Sequence, residues 1–328
     1  MCNHVVLGAN GRTGSKVAEI LLARGEQVRV VSRHMDGLAE LVKHGAEAIA
    51  ARLEDEREMA HIFLDASTAF LIIPPIKYTD ADSDFTGQEI ISRNIVAALR
   101  SSQVRYVVNL SSLGAVCEDT IAPTPLLLVN RGGFHDLALL WRHEERINEI
   151  PGVNVVHIRA GFFMEELLDQ VQVAAKMGLI MFPLKGHVAL PMVSLWDVAA
   201  VAADYLIGRN FRGHCVFEMP GIRDVSMEEI TRLIAREINN PDLVYFEVPR
   251  KQLEAQLLHS HTPRSLIDLL LNATDFLNSG GLKHRHPRVN TAGHITIEKF
   301  AKRFASQYRE HERQSSCPEL SSEWPGNR

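Results

Sequence analysis

Glycines at positions 8, 11 and 14 fall within the run Gly8-Ala9-Asn10-Gly11-Arg12-Thr13-Gly14. The run separates an apolar strand-like segment, residues 4–7, from a helix-like one, residues 15–23. A glycine at the first position lets the chain turn sharply off a strand. One at the second leaves room for a pyrophosphate, and one at the third lets the helix close on the sheet. The helix start then offers free N–H groups and about half a unit of positive charge. Gly8, Asn10, Gly11, Arg12, Thr13 and Gly14 are therefore the expected phosphate cradle of a dinucleotide. The spacing is GxxGxxG and not the commoner GxGxxG, so the strand before and the helix after carry the assignment.

The next strand ends Val30-Val31-Ser32-Arg33-His34. An NAD-binding protein places an acid here to accept from the ribose 2′-hydroxyl. No acid is present. Arg33 can clamp a 2′-phosphate bidentately, Ser32 can donate to it, and Arg12 can stack on adenine or reach the same phosphate. NADP(H) is expected over NAD(H); the competing reading of Arg33 is a solvated loop residue.

Carbonyl reduction needs a proton donor. None of the five tyrosines (Tyr78, Tyr106, Tyr205, Tyr245, Tyr308) is followed by Lys four residues on, so the Tyr-x-x-x-Lys pair is missing. The remaining acid candidates are His135, read as the first residue of a helix shared with His143, and Ser112, with Ser111, at the end of a strand. A histidine titrates in the right range, although a solvated or capping role is open to both. Acceptors that are already activated, such as a quinone, an enal or an iminium, need no strong protein acid.

The elements that must hold these residues alternate. Short apolar strands are expected at 4–7, 27–32, 47–51, 68–73, 105–110 and 153–158, with helices between them at 15–23, 35–44, 56–64, 90–101 and 135–150. That is the pattern of a parallel sheet covered on both faces. Beyond it the text becomes mostly helical: 165–177, 195–206, 227–238, 250–258, 263–276 and 296–308, with short strands at 214–218 and 244–248. The expected fold is α/β, a Rossmann-type doubly wound parallel sheet with a smaller, mostly helical C-terminal substrate domain. Residues 1–163 and 190–218 are assigned to the first, 164–189 and 219–308 to the second, and the polar, aperiodic 309–328 to a disordered tail.

Composition narrows the class. The 328 residues carry a net charge of −5 and 46% hydrophobic residues, so no global field draws the chain to nucleic acid. The four cysteines (Cys2, Cys117, Cys215, Cys317) form no CxxC pair, and no apolar run reaches the roughly 18 residues of a membrane span. A cytoplasmic protein, monomer or homodimer, with no direct nucleic-acid or membrane partner is expected. His259-Ser260-His261 and His284-Arg285-His286 lack acids or cysteines at metal-ligand spacing, so no metal is assigned.

Further motifs are residues 5–14, Ile72-Ile73-Pro74-Pro75, Asn109-Leu110-Ser111-Ser112-Leu113-Gly114-Ala115 and Ile158-Arg159-Ala160-Gly161-Phe162-Phe163-Met164-Glu165, followed by Leu195-Trp196-Asp197-Val198-Ala199 and Thr296-Ile297-Glu298-Lys299-Phe300-Ala301. In these residues and their order the sequence resembles the NmrA-like family of atypical short-chain dehydrogenases/reductases. The resemblance implies two lobes, with the nicotinamide between them beside Pro74, Ser111 and the Phe162-Phe163-Met164 run. Read without the family, those three apolar residues are equally core packing. Reductase-like members carry a lysine on the helix before the sixth strand; only Arg142 is basic in that region. Arg142 remains charged and serves as an anion anchor, not an acid. Two functions stay open: an NADPH-dependent reductase of a small activated acceptor, and a non-catalytic NADP(H) redox sensor that controls a protein partner.

Overall fold

Apolar residues in each central strand go alternately to two different cores. The computed structural model describes residues 3–74, 76–77, 86–115, 127–130, 133–286 and 295–316. Seven of the described strands form one parallel sheet: His4–Leu7 (β1), Val28–Ser32 (β2), Glu47–Ala50 (β3), Thr68–Ile72 (β4), Tyr106–Ser112 (β5), Asn154–Ala160 (β6) and His214–Met219 (β7). Their order is β3-β2-β1-β4-β5-β6-β7. In β1, Val5 and Leu7 pack on one face with Leu71 and Ile95, while Val6 packs on the other with Phe70 and Val17. Burial on both faces explains why these strands read as unbroken apolar runs.

Helices Arg12–Ala23 (α1) and Leu195–Gly208 (α4) cover one face; Thr86–Arg100 (α2) and Leu137–Asn148 (α3) cover the other. The chain order reverses between β1 and β4, which opens the crevice where doubly wound sheets bind ligands.

A second lobe follows β6. It holds a 3-10 stretch, Met164–Gln170, and helices Met227–Ile238 (α5), Arg250–His259 (α6), Arg264–Asn278 (α7) and Ile297–Ser316 (α8). It also holds short strands that the sequence reading missed, among them Leu179–Phe182, Ala189–Val193 and Asp224–Ser226. Its core gathers Leu167, Ile180, Met192, Ile230, Phe300 and Phe304.

Three expectations need correction. His135 does not begin a helix: it lies in the strand Gly133–Asp136, paired antiparallel with Leu127–Asn130 and opposite Leu128. That ladder takes the backbone groups a helix would use, and α3 starts only at Leu137. The expected helix over 165–177 is divided into the 3-10 stretch and a short helix, Val171–Met177. Residues 309–316 are not tail but the last two turns of α8, held by Arg309 donating to the Glu237 carbonyl at 2.7 Å. Residues 317–328 lie outside the described residues.

Candidate dinucleotide site

The glycine turn is built as its spacing requires. Gly8 has φ +67°, a left-handed conformation, and a Cβ there would lie 2.7 Å from Ile72 Cγ2. A Cβ on Gly14 would fall 2.4 Å from the Gly8 carbonyl oxygen, so the helix sits against the strand end at a distance only glycine permits. Gly11 is the N-cap of α1, with its N–H donating to the Gly8 carbonyl at 2.8 Å. No side chain caps this helix, and its first turn carries no acid. An exposed glycine, an uncapped helix start and a lack of competing carboxylates in that turn fit a pyrophosphate.

The loop after β2 is pinned beside this turn. The Asn10 carboxamide lies where a Cβ on Gly37 would stand, 2.0 Å from Asn10 Oδ1. Gly37 was not singled out in the sequence, although a glycine shortly after Arg33 was visible there. Ser32 is half-buried and its Oγ accepts from His34 N–H at 3.5 Å; Arg33 is exposed and forms no ion pair among the described residues.

At the carboxyl end of the sheet, Ser111 is buried and its Oγ has no partner among the described residues. The neighbouring Ser112 Oγ accepts from Gly114 N–H at 3.2 Å, a local turn bond. Pro74 follows β4, and its carbonyl accepts from Gln88 Nε2 at 2.7 Å. The apolar run divides. Phe162 and Met164 are buried in the second-lobe core, Phe162 edge-on to Phe182 at 6.4 Å, while Phe163 is half-buried and packs on the sheet side.

The acid–base candidates differ in how far the described residues reach. The backbone of His135 lies in its strand, and its side chain is outside the described residues. His143 is wholly buried against α2. Arg146 donates to Ser92 Oγ at 2.8 Å, so that hydroxyl donates to His143 Nδ1 at 2.9 Å. Burial, with help from His157 and Arg146, lowers His143 to about 3, so it is neutral and no proton donor at neutral pH. Arg142 lies toward Glu89: burial pushes that carboxyl up, but Arg146 and Arg142 bring it below its usual range. The buried face of α3 carries Leu137, Leu139, Leu140, His143, Glu144 and Ile147. Glu144 is already engaged, accepting from Arg159 Nε at 3.0 Å and Nη2 at 2.5 Å.

Arg12 is directed somewhere the sequence did not suggest. Its guanidinium crosses to the second lobe, donating to the Glu165 carbonyl at 2.7 Å and pairing with Asp169 and with Glu166 at 3.8 Å. Among the described residues no group of three or more His, Cys, Asp or Glu could hold a metal, and no helix is long and apolar enough to cross a membrane.

This sheet order with this turn defines the class of Rossmann nucleotide-binding proteins. The chain belongs to the NAD(P)H-binding family, whose model matches residues 8–207, and it shares its fold with an NmrA structure. A sterol demethylase protein B from Methylococcus capsulatus is 30% identical over 114 residues, 34% of this chain and 35% of that protein. The match thus spans about a third of that relative's length.

Solved structures share the fold over nearly their whole length. Citrobacter triphenylmethane reductase aligns at TM-score 0.73 with 15% identity, over 93% of this chain and 99% of its own. The NADPH-dependent quinone oxidoreductase QOR2 of Escherichia coli, solved with NADPH, aligns at 0.71 with 19% identity, over 92% and 99%. A doubly substituted NmrA aligns at 0.64 with 15% identity, over 95% and 98%.

Proposed function

We propose that this protein is an NADPH-dependent reductase of a small, already activated organic acceptor of the quinone, enal or iminium type. The observation that carries this is the buried side of α3. Where a carbonyl reductase needs a proton donor, that side offers three leucines, an isoleucine, a neutral buried histidine and a carboxylate paired with Arg159. Bound NADPH supplies a hydride. The chain's part is to hold the phosphates at residues 8–14, select the 2′-phosphate with Ser32 and Arg33, and orient the reacting end near Pro74 and Ser111. Ser111 Oγ, buried without a partner among the described residues, is available to donate to a polar atom there. The fold shared with a quinone oxidoreductase and a dye reductase supports the same reading.

The test is NADPH oxidation by purified protein against quinones, enals and iminium dyes, with a simple aliphatic ketone as control. Turnover on one of the first three and none on the ketone is expected. Tight, differential binding of NADP and NADPH without turnover on any acceptor would instead favour the redox sensor, a reading supported by the same lack of a donor on the described face of α3. Steady turnover with the ketone would overturn the acceptor class.

A further inference from the structure

We infer that Asp169 and Glu166, in the second lobe, set the affinity of the dinucleotide site by competing with its phosphates for Arg12. This rests on the reading of residues 8–14 as the phosphate cradle. Arg12 is the first residue of α1, directly after Gly11, so its backbone N–H belongs to the uncapped helix start. Its side chain is nevertheless committed elsewhere, to the Glu165 carbonyl, Asp169 and Glu166. The only cation inside the cradle sequence is thus neutralised by two carboxylates from across the crevice. An anion arriving at the turn meets those carboxylates at close range unless the guanidinium shifts toward it.

The exchange is favourable for several reasons. Asp169 is exposed, with 47% of its side chain open to solvent, so its pair with Arg12 is a weak, screened one. A phosphate offers the guanidinium a bidentate partner and a stronger charge-assisted bond. Met164–Gln170 is a 3-10 stretch, whose backbone bonds are poorer than those of an α-helix, and Glu165 anchors its start through Ser194 and Leu195. The same face of α1 is tethered a turn later, where Lys16 Nζ sits 3.8 Å from the Trp196 ring centre and Arg303 of α8 sits 4.1 Å from that centre. That second contact holds α1 against the second lobe when Arg12 lets go, so the exchange is confined to residues 164–170.

The experiment is a binding cycle read by calorimetric titration of NADPH and NADH at low salt. The variants are Asp169→Asn with Glu166→Gln, Arg12→Met, and all three together. Removing both acids should tighten both dinucleotides by about fivefold. The same removal should tighten binding distinctly less once Arg12 is methionine, where only direct repulsion is relieved. In the unaltered protein, amide exchange in residues 164–170 should quicken when NADPH binds, a readout that a merely structural ion pair would not give. Unchanged or weaker binding without the acids, or a tightening undiminished in the Arg12→Met background, would overturn the inference while leaving the cradle in place. Failure of the unaltered protein to bind either dinucleotide would overturn the cradle itself.

Discussion

Gly14 and Gly11 lie three residues apart yet differ in what a side chain would break. At Gly14 the obstruction is backbone, the Gly8 carbonyl, which can retreat only if the strand or the helix moves. Gly14→Ala should therefore cost about 1–3 kcal/mol of stability, measured by chemical unfolding. At Gly11 the Cβ would meet the Gly8 oxygen at 3.1 Å, a tight contact that small adjustment relieves, and the rest of the side chain would project into the cradle. Gly11→Val should remain folded and lose both NADPH and NADH; normal titration by a folded variant would place the phosphates elsewhere. Arg33 is expected to separate the two cofactors. NADPH should bind at least tenfold tighter than NADH, about 1.4 kcal/mol, and Arg33→Ala should remove most of that difference with NADH binding nearly unchanged. Equal affinities before substitution would sink the preference.

Between β5, β6 and α3 runs a polar seam that shapes the response to acid. Asn109 Nδ2 donates to His157 Nδ1 at 3.1 Å, and His157 Nε2 donates to Asn148 Oδ1 at 3.0 Å, an arrangement that holds a neutral ring. Burial lowers His157 to about 3, with Arg159 and His214 adding to the effect, and His143 stands at about the same value. In the unfolded chain both titrate near 6.5, so below that pH the unfolded state binds more protons. Stability is fully present above about pH 6.5 and should decline by about 1.4 kcal/mol per pH unit per histidine as pH falls toward 3. His157→Asn should flatten the Tm-versus-pH curve in that window; an unchanged slope would mean the ring is protonated in the fold. Sequence reading could not see this seam. Strands and helices of the sheet were legible because apolar runs and the glycine turn are local signals. His135 was misread because an antiparallel ladder between residues 127–136 overrode the helical pattern after it, and the target of Arg12 lies 153–157 residues away.

At the scale of the molecule, the question is whether the two lobes stand or fall together. The sheet has its own two cores, and the second lobe has a third, to which α8 contributes Ile297, Phe300, Ala301, Phe304 and Tyr308. Polar or aromatic links join the lobes, Arg12 to residues 165–169, Trp196 between Lys16 and Arg303, and Ile295 N–H on Asp197 at 3.1 Å, beside the apolar contacts of Leu113 with the third core and of Phe276 with the first. Screened pairs and single hydrogen bonds of this kind contribute about 1 kcal/mol each, much less than a core. Damage to the third core should therefore stay in the second lobe. Phe304→Ala, at a wholly buried position, should cost that lobe about 3–5 kcal/mol. Calorimetry of the variant should then show the second lobe melting ahead of the sheet. NADPH should raise the later transition more than the earlier one, because residues 8–14, Ser32, Arg33 and Ser111 all belong to the sheet and a ligand stabilises the state that binds it. A single transition that NADPH moves as a whole would show that the links across the crevice are stronger than their chemistry suggests, and that the cofactor holds both lobes as one folding unit.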